Sequence, residues 1–177
     1  LEHPGFPKYD ISSVRPMLYA ASPMPVAALK KGIKLFGENI FLQAFGQSES
    51  GVITILKKED HKVEGSEEEL KVLLSAGEPA PGVEVRIVDD QDNDVPLGEV
   101  GEIIVRSGVM MKGYWKMPEE TAETLKSGWL HTGDMGRLDK DGYLYIVDRK
   151  KDMISSGGEN IYPREVEEVL YAHPAVL

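Results

Sequence analysis

Apolar residues recur along this chain at two spacings, and the change from one to the other divides it into predicted elements. Val26, Leu29, Ile33 and Phe36 fall three or four apart, which predicts an amphipathic helix over 25–36 with Pro25 at its first turn. Ile40-Phe-Leu-Gln-Ala-Phe45 is a short apolar run that reads as a buried strand running into a loop at Gly46-Gln-Ser-Glu49. Val83, Val85 and Ile87 alternate with Glu84 and Arg86, the period-two pattern of a half-buried strand, and Asp90-Gln-Asp-Asn93 ends it. Glu102 to Arg106 reads as a second β-rich run, with Gly98 and Gly101 marking turns. Pro118 opens a short helix with Glu119 and Glu120 in its first turn, where the helix dipole favours acids. Tyr143 to Val147 is apolar, aromatic and β-branched, and Asp139-Lys-Asp-Gly142 before it suits a hairpin loop. A last helix is predicted from Pro163, burying Val166, Val169 and Leu170 on one stripe. Glu59 to Glu69 is acidic and weakly apolar, and reads as an exposed loop.

Candidate chemistry concentrates between Trp129 and Glu168. Asp134 follows Thr132-Gly133 at what reads as the end of a loop, where its two carboxylate oxygens could accept from a vicinal diol such as a ribose. Arg149, after the apolar strand, is permanently charged, and its planar fork can reach ribose hydroxyls or a phosphate. Lys150, Lys151 and Asp152 form a polar link suited to a hinge, and a Gly-Gly loop at 157–158 leads into the last helix. With 20 Lys and Arg against 30 Asp and Glu, the net charge of -10 argues against nucleic acid as a partner. Anionic ligands would need local positive charge, which Arg149, Lys150 and Lys151 would supply. The absence of cysteine excludes disulfides, thiol catalysis and Cys-based zinc sites. The four histidines show no metal spacing: His3 and His61 read as polar-loop residues, His173 closes a helix, and His131 alone adjoins the candidate site as a positioning or packing residue. No apolar run approaches the ~20 residues needed to span a bilayer, and Leu1 to Phe6 lack a signal pattern, so a cytoplasmic protein is expected.

Taken in order, TGD at 132–134, DRKKD at 148–152 and SGGENIYPREVEEVL at 156–170 resemble the adenylate-forming acyl-CoA synthetase family, in its fatty-acid and aryl-acid CoA ligase branch. The resemblance implies a mixed α/β fold: a partial α/β subdomain over 1–78, a small β-barrel subdomain over 79–149, and from 150 to 177 a hinge and the start of a mobile C-terminal domain. Phe45, Gly46, Ser48 and Glu49 match the family's aromatic-Gly-x-Thr-Glu motif, in which the aromatic lies against adenine, the hydroxyl bonds phosphate and the Glu holds Mg²⁺. Ser48 stands where Thr is usual and keeps the hydroxyl. Ala20, Ala21, Ser22 and Pro23 match the segment that lines the acyl pocket, with Ala20 and Ala21 where glycines are frequent, so each adds a methyl and loses φ freedom. Asp134 and Arg149 would hold the ribose, Lys151 matches the hinge, and Gly157 and Gly158 match the loop that turns towards the CoA pantetheine channel. Met111 to Trp115 matches the family's Gly-Tyr element, read as structural.

The reaction so implied has two steps. A carboxylate, here expected to be a fatty acid, attacks the α-phosphate of ATP to give acyl-AMP and pyrophosphate, and the CoA thiolate then displaces AMP. The family's Ser/Thr/Gly-rich phosphate loop and its Gly-Lys element carrying the catalytic Lys do not occur in these 177 residues, so the isolated chain is expected to be an internal, catalytically inactive fragment. Two alternatives stand beside this reading. The chain could be a nucleotide-binding module using Phe45, Asp134 and Arg149 without turnover, or a structural piece whose uncovered apolar face drives formation of a homo-oligomer.

Overall fold

A computed structural model describes residues 5–22, 24–156, 159–171 and 175. The chain is mixed α/β, as expected. A first sheet has the order β1 (Met17–Ala20), β2 (Phe41–Gln47), β3 (Gly51–Leu56), β4 (Glu78–Pro79), with β1 parallel to β2 and the other pairs antiparallel. The β1–β2 crossover is helix α1 (Val26–Phe36), with Pro25 as its N-cap residue and Leu29 and Ile33 buried. Those side chains join Ile40, Phe41 and Leu73 in one core cluster.

The second sheet is antiparallel and five-stranded. It runs β5 (Val83–Val88), β6 (Gly101–Ser107), β8 (Trp129–Leu138), and the far edge of β8 is shared by β7 (Leu125–Lys126) and β9 (Leu144–Arg149). Its inward residues Ile87, Ile103, Val105, Leu130 and Leu144 pack with Ile53 of β3, and Phe45 of β2 packs against the same cluster. Burying each such side chain is worth about 1.5–3 kcal/mol. One apolar core therefore holds both sheets. The connection is tightened at Ala76-Gly77, where the Ala76 N–H donates to Leu144 O at 2.7 Å and the Leu144 N–H to Gly77 O at 2.9 Å.

Several expectations need correction. The acidic stretch after β3 is not a bare loop: Lys58–Asp60 forms a 3-10 turn and Glu67–Val72 a helix, α2, whose Ser66 and Glu69 make a reciprocal capping box. His61 is 1% exposed rather than a polar-loop residue; its Nε2 lies 3.0 Å from the Tyr19 hydroxyl and its Nδ1 2.7 Å from Lys57 O. Gly101 is a buried strand residue whose added Cβ would lie 2.5 Å from Val88 O, not a turn glycine. After α3 (Pro118–Thr124), β8 and β9, a hairpin of β10 (Ile154–Ser156) and β11 (Glu159–Ile161) leads to α4 (Pro163–Tyr171). The start of α4 is as expected, but Val166, Val169 and Leu170 are exposed instead of buried. Helix α4 lies against β9, with these three side chains left exposed.

Candidate functional site

The hairpin of β2 and β3 builds one wall of the site. Its two strands close around a short turn, with Gln47 opposite Gly51, and Gly51 takes φ +70 to end it. Ser50 at the tip is buried; its Oγ accepts from the Gln47 N–H at 3.1 Å and donates to Gly51 O at 2.9 Å. The tip carries Ser48, which is exposed, and Glu49, which is half-buried. Glu49 is fixed from outside the hairpin: its carbonyl accepts the Met111 N–H at 2.7 Å, and its Oε1 accepts the Tyr114 hydroxyl at 3.0 Å. The Gly-Tyr element thus touches the candidate metal ligand. Among the described residues no group of three or more His, Asp or Glu could cage a metal, whereas a single carboxylate joined by substrate phosphates suits Mg²⁺.

The opposite wall comes from β8 and β9. Thr132-Gly133-Asp134 is not a loop end, as the turn-forming residues implied, but part of the long strand β8. The pairing of β6 with β8 shifts register there, from Glu102 opposite Met135 to Ile104 opposite His131, so three residues of β8 face one of β6. Such a bulge lifts backbone groups out of the ladder and re-aims side chains. Side chains replace the missing bonds. The Gly133 N–H donates to Glu102 Oε1 at 3.2 Å, the Asp134 N–H to Thr132 Oγ1 at 3.1 Å, and Thr132 Oγ1 donates to Ile103 O at 2.7 Å. Gly133, at φ +70, adopts the left-handed backbone this path requires.

Asp134 is 6% exposed, and its Oδ2 accepts from Gln47 Nε2 at 2.9 Å. Gln47 also donates to Thr132 O at 2.9 Å, so one amide ties the hairpin tip to the bulge. Arg149 ends β9 directly opposite Asp134, with its Nε 3.7 Å from Oδ1. Burial raises the Asp134 carboxyl above the ordinary aspartate range, while Arg149 and Gln47 pull it down and Asp148 and Glu102 add to the rise. Lys150 does not offer free positive charge, because its Nζ is bound to Asp90 at 2.8 Å and to Glu102 at 3.0 Å. Burial works against the Glu102 carboxylate, yet Lys150 and then His131 outweigh it and hold it below the usual glutamate range.

Between the walls lies an open cavity of about 330 Å³. Ala20, Ala21 and Ser22 line it from the β1–α1 turn, Phe45 and Gly46 from β2, and Asp134 and Arg149 from β8 and β9, together with Gln43, Gln47 and Asp148. Ala21 holds φ +72 at a position where the resemblance leads one to expect glycine. Ser48 and Glu49 stand beside the cavity on the hairpin tip and do not line it, and Lys151 is in the exposed turn after β9. Pro23, Gly157 and Gly158 lie outside the described residues. Sequence reasoning passed over Gln47, Ser50 and Glu102. Gln47 lay within the matched motif as its variable position, whereas Glu102 gave no signal beyond an acid in a β-rich run.

The sequence model described as AMP-binding enzyme matches residues 1–115. A medium/long-chain fatty-acid–CoA ligase of Mycobacterium tuberculosis is 47% identical over 177 residues, covering 99% of this chain and 30% of that protein. Among solved structures, an amide bond synthetase from Marinactinospora thermotolerans matches with a TM-score of 0.88 at 40% identity, over 98% of this chain and 34% of that one. An o-succinylbenzoate coenzyme A synthetase from Bacillus subtilis, in complex with ATP and magnesium ion, matches with a TM-score of 0.79 at 36% identity, over 92% of this chain and 32% of that one. The chain therefore spans about a third of the length of each relative, and within that span it belongs to the AMP-binding enzyme family.

Proposed function

We propose that the protein carrying this chain is an AMP-forming acid–thiol ligase, which activates a carboxylic acid, in the first place a fatty acid, as its acyl-adenylate and passes the acyl group to CoA in the cytoplasm. The observation that supports this most is the common cavity: small residues 20–22, the Phe45 ring and the Asp134–Arg149 pair line one space large enough for part of a nucleotide. In this reading Phe45 and Gly46 form the adenine wall, Asp134 accepts from the ribose hydroxyls with Arg149 beside it, and Ser48 contacts phosphate. Ala20, Ala21, Ser22 and Pro23 border the acid, Lys151 is the hinge, and Gly157 and Gly158 approach the CoA arm. Magnesium, when bound near Glu49, would offset phosphate charge. Tyr114 would orient that carboxylate, through the bond at 3.0 Å.

Arg149 is the one Lys or Arg among the described residues that line the cavity, against Asp134, Asp148, Asp152 and Glu167. Such a lining suits a ribose better than a triphosphate, whose charge needs cations aimed at it. The 177 residues taken alone are accordingly proposed to bind AMP and not to turn over. Calorimetry with AMP and Mg²⁺ tests the reading. Since bonds to a charged group are worth about 1.5–3 kcal/mol, Asp134→Ala should weaken binding at least about tenfold. Unchanged affinity in a folded variant would remove the ribose assignment. The likeness to an amide bond synthetase favours a second acceptor, an amine, and assaying thioester against amide from one acid and ATP separates the two.

A further inference from the structure

The bulge that presents Asp134 is held by a closed ring of contacts through a residue that does not line the cavity. Glu102 is 8% exposed on β6. Its Oε1 accepts the Gly133 N–H at 3.2 Å, and its Oε2 accepts from Lys150 Nζ at 3.0 Å. The ring closes through the main chain, where the Lys150 N–H donates to Gly133 O at 2.8 Å. Gly133 is thus gripped at both its N–H and its carbonyl. The two residues so clamped, Gly133 and Lys150, are the immediate chain neighbours of Asp134 and Arg149.

We propose that Glu102 is a positioning residue of the ribose site: its single carboxylate, shared between Gly133 and Lys150, sets the spacing of Asp134 and Arg149 across β8 and β9. The proposal rests on the nucleotide reading given above. Geometry demands a side-chain clamp here. Where three residues of β8 face one of β6, the ladder leaves the half-buried Gly133 N–H without a strand partner, and a side-chain acceptor there offsets the cost of an unmade bond. Gln47 holds the Asp134 carboxylate from the other side, and removal of Glu102 takes the acceptor from the Gly133 N–H while the Gly133 carbonyl keeps the Lys150 N–H and the Asp134 N–H keeps Thr132 Oγ1, so the bulge is loosened on its β6 side. His131, with Nδ1 3.4 Å from Glu102 Oε2 and Nε2 3.6 Å from Asp92 Oδ1, fills the remaining side of the carboxylate. Asp90 shares Lys150 at 2.8 Å. Lys150 links the clamp to the start of the polar segment at 150–152, so movement of that segment would reach the ribose site through Glu102.

The test compares Glu102→Gln, Glu102→Ala and Lys150→Met, with Glu84→Gln as the control, since Glu84 pairs with Arg106 away from the site. Glutamine keeps an acceptor for the Gly133 N–H and gives up the charge facing Lys150, whereas alanine removes both. Two readouts are taken: amide exchange at Gly133 and Lys150 without ligand, and AMP affinity by calorimetry. The expected result is faster exchange at both amides in Glu102→Ala and a smaller increase in Glu102→Gln, which keeps an acceptor for the Gly133 N–H, with the Ile104 amide on β6 still protected as evidence of folding. AMP affinity should fall about tenfold for Glu102→Gln and further for Glu102→Ala. Glu102→Gln combined with Lys150→Met should cost less than the sum of the two, as expected for partners in one pair. Unchanged exchange overturns the clamp whatever the nucleotide does. Faster exchange with unchanged AMP affinity leaves Glu102 a purely structural residue and overturns the positioning role. Failure of the unsubstituted protein to bind AMP removes the ribose reading and this role with it, while the exchange data still report whether the ring exists. Should Glu102→Ala not fold, Glu102→Gln and Lys150→Met carry the same comparison.

Discussion

Gly46 is the point where the candidate site leaves no room, and Gly46→Ala measures how closely the β2–β3 hairpin is built around it. A Cβ there would lie 2.1 Å from Gly51 O, 2.9 Å from Val52 Cα and 3.0 Å from Gly51 C. All three atoms are main chain, so no rotamer change relieves the contact. The crowding has a local cause. The register of β2 against β3 shifts between Phe45 and Gly46, which brings the strand ends together as the hairpin tightens towards its tip. Relief requires β3 to withdraw and the pairing of Gly46 with Val52 to open. Overpacking of this kind costs about 1–3 kcal/mol, and a backbone clash belongs at the upper end.

In a chain of this size each kcal/mol moves the melting temperature by about 2–4 °C, so Gly46→Ala should lower Tm by about 6–12 °C. Thermal unfolding followed by circular dichroism supplies the number. Gly108→Ala is the matched control, because a Cβ at Gly108 meets nothing within 4 Å and its backbone is not left-handed. That control should stay within about 0.5 kcal/mol of the parent. AMP affinity should fall in Gly46→Ala as well, since Gln47, the next residue, holds Asp134 at 2.9 Å. Equal melting temperatures for the two variants would refute the packing argument.

Ala21→Gly should act in the opposite direction: relief of φ +72 is worth about 1–2 kcal/mol against about 0.4–1 kcal/mol of added unfolded-chain entropy, for a net gain near 0.5–1 kcal/mol readable by urea denaturation. Burial, partly countered by the Lys57 carbonyl and Asp60, holds the His61 imidazole below its ordinary range. Its contribution to stability is therefore present above pH ~6.5 and is lost as pH falls below that value, because the unfolded chain takes up the proton first. Melting curves from pH 8 to 5 should show a steeper loss for the parent than for His61→Asn, and parallel curves would exclude this role. Tyr114→Phe removes the hydroxyl that donates to Glu49 at 3.0 Å, and in the longer protein that carries this chain the Mg²⁺ concentration giving half-maximal ATP binding should rise about threefold to tenfold. An unchanged requirement would mean that Tyr114 does not orient that carboxylate.

How far the chain could be read in advance depended on whether the signal was local. Helix α1 and strand β5 follow from side-chain period alone, and Pro25 and Pro163 mark helix starts because proline fits the first turn. The capping box at Ser66 and Glu69 was equally local, but the acids of Glu59 to Glu69 masked it as a solvated loop. His61 carried no local signal, since its burial comes from Tyr19 and Phe41, whose rings lie 5.7 and 6.2 Å away by centroid. Gly133-Asp134 reads as a turn because both residue types favour turns. It becomes a strand bulge only because β6 pairs across it, and that pairing depends on contacts far apart in sequence. The same limit applies to Glu102, whose partners Gly133 and Lys150 are 31 and 48 positions away.

In the proposed reading, those long-range contacts let an aspartate serve a diol here better than one on an open loop would. Folding has already taken Asp134 out of water, and burial raises its carboxyl while Arg149 and Gln47 stabilise the ionised form. In the proposed reading the cost of desolvating the acceptor is met by the packing of Ile53, Ile103 and Leu130 around the shared core, not by the ligand at the moment of binding. Ribose hydroxyls would then meet an acceptor fixed in direction by Gln47 and in height by the bulge, at little further loss of side-chain entropy. An exposed aspartate would have to shed its water and its rotamer freedom for the same two bonds. In that reading the bulge, the Gln47 amide and the Glu102 clamp are parts of one device, in which the fold holds a desolvated carboxylate ready for its ligand.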